Sequence, residues 1–341
     1  MLQLMFTHRL ASQGLSAKQP MTSSAFVLVV STIADVATDD VVRRLTAASI
    51  PYHRLNTEDL PFSRSITLAY GKGHRNWLEL DGQRIPPPTA IWYRRVRSGA
   101  KPQDMDQGIY QFCLQESRSA LLGGITSAQT RWLSHPASIW QAEHKPYQLA
   151  LAAELGFRVP RTVITNNPQA IRKAAADFGR LIVKPTRSGH IVHRGVEHAV
   201  FTSEFLPGHL DDLRGAELSP AIYQELVPKR FDVRVTIVGG TIFAARIDSQ
   251  SDPKAAVDWR HTANPQLPHH HVDLPESLRN RLLRLMQRLG LNFGAVDLIE
   301  TPNGEHVFLE VNPNGQWLWL DDMLDLGISQ AVADWLGREI N

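Results

Sequence analysis

Residues 306–320 read HVFLEVNPNGQWLWL. The stretch opens as an apolar strand. It then places Glu310, Asn312 and Asn314 at every second position, on one side of an extended chain. Trp317 and Trp319 follow. Just upstream, GAVDLIETPNGE (294–305) is a second apolar run, closed by Asn303-Gly304, a two-residue hairpin signal. Folding on that turn sets Pro302 opposite Glu305 and Asp297 opposite Glu310, with Cβ atoms roughly 4.5–5.5 Å apart. One face then carries Asp297, Glu310 and Asn312. The other carries Val296, Leu298, Val307, Leu309 and Val311.

Two converging carboxylates repel each other unless a cation lies between them. Oxygen-only ligands favour magnesium over zinc. The competing reading is a solvated polar face on an edge hairpin. Magnesium held by few carboxylates usually also holds phosphates, so phosphate binders are expected upstream. Lys184 stands where the apolar strand RLIVK stops, before PTRSGH. Lys145 stands at the start of a helix, whose N-terminus favours anions. Arg260, in DWR, is a third candidate. YQELV (223–227) could offer backbone groups to an adenine edge. Each of these alone is commonly structural; their order along the chain is the informative part.

The remaining 300 or so residues organise around that hairpin. The chain has 341 residues and is 43% hydrophobic, enough for two or three domains. Lys plus Arg number 36 and Asp plus Glu 34, and this balance excludes a strongly basic nucleic-acid-binding domain. One cysteine, Cys113, forms no internal disulfide and suits a reducing, cytoplasmic setting. No run reaches the roughly 18 apolar residues of a membrane helix. Residues 1–20 read as a loose extension. AFVLVVS, DDVVRRLTAASI and PYHRLN form a β-α-β opening, which predicts a small doubly wound domain over 21–130. A boundary is expected near 130–136. Beyond it, AEHKPYQLALAAELGF predicts one helix, and TIVGGTIF a hairpin turning on Gly239-Gly240. PHHHVD (268–273) reads as a solvated loop, because three adjacent histidines cannot all reach one ion.

The order Lys145, IVKPT, YQELVPKRFDVRVTIVGG, DWR, GAVDLIE, FLEVNPNGQW resembles that of ATP-grasp ligases over about residues 130–341. FLEVNPNGQWLW, VPKRFDVRVTIVG and WYRRV resemble more narrowly the microviridin-type graspetide ligases, which crosslink side chains of a ribosomal precursor peptide. The resemblance implies an α/β protein with an N-terminal doubly wound pre-ATP-grasp domain. A two-lobed ATP-grasp core over 131–341 would follow, its small lobe at about 160–225. It implies ATP and two Mg2+ ions as cofactors. Lys145 and Lys184 would contact phosphates. Gln224, Glu225, Leu226 and Val227 would form the adenine hinge, with Asp232 near the ribose. Arg234 and Arg260 would face the γ-phosphate and an acyl phosphate, and Asp297, Glu310 and Asn312 would bind magnesium. WYRRV has Val96 where the family often has proline, and KPTRSGH is poor in glycine for a phosphate loop.

The implied reaction activates Asp or Glu side chains as acyl phosphates for attack by Ser or Thr hydroxyls or Lys amines. Residues 193–220, with Asp211 and Asp212 on an expected helix, would dock a leader peptide. Arg94, Arg95 and Trp317 are further candidates for the peptide site, Trp317 equally for the core. Neither a nucleic acid nor a membrane is an expected partner, and members of the family are often homodimers. Asp248 or the substrate itself could serve as base. Two other functions stay open: a ligase adding amino acids to a peptide or protein terminus, and an ATP-binding scaffold without chemistry.

Overall fold

The computed structural model describes residues 25–71, 77–187, 189–193, 196–261 and 267–340. The expected extension at 1–20 lies outside them. β1 (Val27–Ser31) is buried along its whole length. α1 (Val36–Ala47) follows, with Asp35 as its N-cap. β2 (Tyr52–Asn56), β3 (Ile66–Ala69), β4 (Trp77–Leu80), β5 (Gln83–Ile85) and β6 (Ala90–Tyr93) come next. α2 (Gln107–Thr126) starts on the Asp106 side chain, which accepts from the Gly108 and Ile109 amides. β7 (Arg131–Trp132) completes a parallel sheet ordered β2-β1-β6-β7.

The helix expected over AEHKPYQLALAAELGF is α4 (Lys145–Glu154), and a short α3 (Pro136–Ala142) precedes it. Pro146 sits in the first turn of α4, where its missing amide hydrogen costs no intrahelical bond. β8 (Thr162–Thr165), α5 (Pro168–Phe178), β9 (Leu181–Lys184), β10 (His190–His193), β11 (Val196–Ala199), β12 (Ser203–Phe205) and β13 (Ala221–Glu225) build the smaller lobe. Its sheet runs β12-β9-β13-β8, beside the separate β10–β11 hairpin. The helix expected around Asp211 and Asp212 is absent. Pro207–Leu210 and Ala216–Leu218 are short 3-10 turns, because Pro207, Gly208 and Gly215 leave no run long enough for an α-helix.

The larger lobe holds β14 (Phe231–Val238), β15 (Thr241–Ile247), β16 (His269–His271), α6 (Glu276–Leu289), β17 (Phe293–Glu300) and β18 (His306–Asn312). Its sheet is ordered β16-β15-β14-β17-β18. The histidine triplet is thus an edge strand paired with β15, not a loop. Val233, Val235, Val296, Leu298 and Phe308 pack one sheet face against Leu278, Leu282 and Leu285 of α6. α7 (Leu318–Leu324) and α8 (Ile328–Gly337) close the chain. Ile328, Val332 and Leu336 of α8 share a core with Val27, Val41 and Leu45 of the N-terminal sheet and helix.

The decisive hairpin keeps Asp297 opposite Glu310, but by a different route. The loop is longer than two residues: the Thr301 amide donates to the Glu305 carbonyl, and Gly304 has φ +82°. That shifts the register by one, and Leu298 pairs with Phe308. A bulge at Leu309 shifts it back before Glu310. Between loop and bulge every side chain swaps face relative to the two-residue-turn register. Phe308 enters the core, while Val307 and Leu309 join Ile299 and Val227 on the opposite side.

Candidate active site

A cleft lies between the lobes. It is lined by Ile182, Lys184, Gln224 to Lys229, Asp232, Asp258 to Arg260, Asp297, Ile299, Leu309 and Glu310. One end is apolar, formed by Ile182, Val227, Ile299 and Leu309. The other is charged.

The charged end is built from five elements. β17 and β18 present Asp297 and Glu310 side by side. β14 presents Arg234, whose Nη1 donates to Asp297 Oδ1 at 2.8 Å. The start of α4 presents Lys145, whose Nζ lies 2.5 Å from Glu310 Oε2. Each carboxylate therefore has its own cation, and the repulsion anticipated between them is already neutralised inside the protein. Burial by itself would push the Glu310 carboxyl up. Lys145, Lys184 and Arg260 outweigh it and hold the carboxyl well below the usual carboxylate range. The end of β9 presents Lys184, which is buried. Desolvation, with repulsion from Lys145 and Arg260, brings its ammonium down to about 8 against the pull of Glu310 and Asp297.

Arg260 enters on an inter-strand turn. Burial opposes its charge, but Asp258 more than compensates and the guanidinium is held firmly protonated. The Asp258 carboxylate accepts from Arg260 Nε at 2.8 Å and Nη2 at 2.7 Å, and from the Thr202 amide of the small lobe at 3.3 Å. Asp258 is thus the orienter of Arg260, a role invisible in DWR alone.

At the apolar end, Leu226 donates its amide to the Arg180 carbonyl at 2.9 Å. The Val227 amide has no partner among the described residues. Gln224 is fully buried. Its Nε2 donates to Thr162 Oγ1 at 2.8 Å, while Oε1 has no partner. The Glu225 carboxylate turns outward to Arg161 at 3.0 Å, so only its backbone belongs to the cleft. Asp232 lies at the middle, with Lys229 Nζ 2.6 Å from its Oδ2. Burial raises the Asp232 carboxyl despite that lysine. Lys229 was missed in the sequence; its signal is a lysine three residues before Asp232 on one wall.

Asn312 lies beyond Glu310 on the same side. It is exposed, and its Oδ1 accepts from the Asn314 amide at 3.0 Å. Two carboxylates and one amide oxygen fall short of a closed metal cage. Among the described residues no group of three His, Cys, Asp or Glu could hold a metal. The oxygen donors of Asp297, Glu310 and Asn312 are of the type that suits a magnesium ion whose shell phosphate oxygens would complete.

Three residues lie elsewhere. Trp317 is fully buried, its indole N–H donating to Ser329 Oγ at 2.9 Å, so it is core and not peptide wall. Arg94 is buried in an ion pair with Asp35. Asp248 contacts Arg246 at 3.6 Å and His270 at 3.8 Å, on residues that back the opposite sheet face; this argues against it as the base. Arg95 is partly buried beside Asp35 and Arg97, and burial lowers its guanidinium. Asp211 is exposed, and Asp212 pairs with Arg214.

The MvdD pre-ATP grasp domain model matches residues 26–139. The macrocyclase MdnC from Microcystis aeruginosa MRC, solved with its precursor peptide MdnA, is 34% identical, with 91% of this chain and 98% of that chain covered and a TM-score of 0.81. The chain belongs to the ATP-grasp macrocyclase family. A RiPP-associated ATP-grasp ligase from Chryseobacterium gregarium, solved with ADP and a leader and core peptide, is 26% identical, with 92% of this chain and 96% of that chain covered and a TM-score of 0.84. Human N-acetylaspartylglutamate synthase A is 26% identical over 230 residues, 64% of this chain. The match spans only 56% of that curated relative's length. No helix among the described residues is long and apolar enough to cross a membrane.

Proposed function

We propose that this protein is an ATP- and magnesium-dependent ligase that macrocyclises a ribosomal precursor peptide. The carrying observation is the meeting of Lys145, Lys184, Arg234 and Arg260 with Asp297 and Glu310 at the charged end of a cleft whose other end is apolar. The flat apolar slot suits an adenine ring. The Val227 amide supplies a donor to its edge, and Gln224 Oε1 an acceptor for its amino group. The phosphates then run toward Lys184 and Lys145. Asp297, Glu310 and Asn312 would hold magnesium, which would screen the phosphate charge when bound.

A substrate carboxylate is a poor acyl donor because oxide is a poor leaving group. Its attack on the γ-phosphorus gives an acyl phosphate and ADP. Arg260, locked by Asp258, and Arg234 stabilise charge on the transferring oxygens. A Ser or Thr hydroxyl then forms an ester, or a Lys amine an amide, and phosphate leaves. In this reading the exposed Asp211 and Asp212, on the small-lobe segment 193–220, contact the peptide, with the half-buried Arg95 as a further candidate. Two magnesium ions and a cytoplasmic setting belong to this reading.

The test is a mass spectrum of the peptide encoded beside the gene, after incubation with the protein, ATP and magnesium. Loss of one water per bond is expected, and hydroxide treatment separates ester from amide. The curated amino-acid ligase relative favours one competitor, a chain-extending ligase, which would instead add an amino-acid residue mass. Nucleotide binding with no change in peptide mass would leave a scaffold.

A further inference from the structure

The charged end of the cleft is braced from behind by the N-terminal domain. Arg94 follows β6, and its side chain is 0% exposed. Its Nε donates to Asp35 Oδ2 at 2.6 Å, and Asp35 caps α1. Its Nη2 donates to Gln316 Oε1 at 3.0 Å. Its guanidinium lies 4.2 Å over the Trp317 ring. Gln316 in turn accepts Arg234 Nη2 on its main-chain carbonyl at 3.2 Å. Arg234 ends on Asp297. Asp35, Arg94, Gln316, Arg234 and Asp297 therefore form one continuous chain from the first helix to the cleft.

Gly315 shows how tightly that chain is pressed together. A Cβ there would meet Arg234 Nη2 at 2.7 Å and the Ala295 Cβ at 2.4 Å. Only glycine lets the backbone lie against the guanidinium. In NGQW, the glycine gives close approach, the glutamine bridges, and the tryptophan stacks on Arg94.

Asp35 accepts from Arg94 Nε and the Trp317 ring covers the guanidinium plane, while Nη1 has no hydrogen-bond partner among the described residues. The bond to Gln316 is additional. It ties the N-terminal domain to the loop whose carbonyl holds Arg234. We infer that Arg94 is a positioning residue: through Gln316 it fixes Arg234, and so sets the Asp297 carboxylate for the magnesium nucleotide. This rests on the ATP- and magnesium-dependent reading above. Being fully buried, Arg94 touches no peptide, so its effect falls on metal and nucleotide. A lysine keeps the charge against Asp35. It cannot also reach Gln316 with a second fixed donor or lie flat on Trp317.

The test uses Arg94→Lys, Gln316→Leu and the double variant of the full chain. ADP affinity is measured calorimetrically with and without magnesium. Wild type should bind ADP more tightly with magnesium. Each single variant should lose about tenfold or more of that magnesium-dependent gain, as supporting residues around metal ligands do. Affinity for metal-free ADP and KM for the peptide should hold. The double variant should lose no more than the worse single, because both changes cut one chain. An unchanged magnesium-dependent gain in Gln316→Leu would overturn the inference. So would losses that multiply in the double variant, or an equal loss in metal-free ADP affinity, which marks a merely structural role. If Arg94→Lys does not fold, Gln316→Leu decides alone. A wild-type chain indifferent to magnesium would break the functional reading itself, and this inference with it.

Discussion

The large-lobe wall of the cleft and an outlying segment of the small lobe differ in what they leave unsatisfied. The large-lobe wall sets Arg234 against Asp297 and Lys145 against Glu310, all mostly buried. The small-lobe segment from β11 to β13 instead leaves Val196, Val200, Leu206 and Leu218 exposed, Leu218 at 84%. Its strands are three or four residues long. The first wall is organised before any ligand arrives. The second offers apolar surface that its own fold does not use. Charge chemistry needs the former, because dipoles and ions that are already aligned cost nothing to reorganise.

Breaking the rigid wall should cost most. Asp297→Asn leaves Arg234 without its charge partner and removes a magnesium ligand. Turnover should fall at least a hundredfold, about 3 kcal/mol of transition-state stabilisation. The melting temperature should fall too, since half of a buried pair is lost. Calorimetry and single-turnover assays check both.

The next effect is one of pH. Lys184 is charged below about 8 and neutral above it in the free protein. A neutral amine loses its attraction for phosphate. Thus kcat/KM for ATP should decline as pH rises through about 8, approaching tenfold per pH unit above it. The stability sign is the reverse. The folded ammonium is easier to deprotonate than its reference value of 10.5, so the cost of burying it is felt below about 8 and relieved as pH climbs toward 10.5. A flat pH profile in that window would remove Lys184 from the phosphate site.

Gly315→Ala tests the same wall by crowding. Overpacking against Arg234 and Ala295 should cost about 1–3 kcal/mol, seen by denaturant titration. The smallest effect on the fold belongs to the small-lobe segment. Leu218→Ala, or Asp211→Asn with Asp212→Asn, should leave stability within about 0.5 kcal/mol. These changes should raise KM for a leader-bearing peptide but not for the same peptide without its leader. Equal KM values for both peptides would show that this segment docks nothing.

Legibility in the sequence follows the same division. β14, β15, β17 and β18 are long and lie in one sheet with a buried face, so their alternation is enforced over seven or eight residues. Asp297 and Glu310 could be set opposite each other from that alternation together with the Asn303-Gly304 turn. Even there the loop and the Leu309 bulge were hidden, because two one-residue shifts cancel at Glu310. Residues 196–220 carry no such pattern. Their apolar side chains are not buried against the fold, so a helix was expected where 3-10 turns occur. The histidine triplet became a strand because β15 offers an open edge, a tertiary cause with no local signal. Asp258 and Lys229 were overlooked because each acts on a neighbour two or three residues away, across a turn.

The seating of α8 on α1 bears on how the protein is made. Val27, Val41 and Leu45 leave the ribosome well before the Ile328, Val332 and Leu336 that cover them, which lie far downstream in the chain. The N-terminal sheet and helix are therefore completed long after they are synthesised. Until then they present an uncovered apolar face to the cell, a situation that invites chaperone capture.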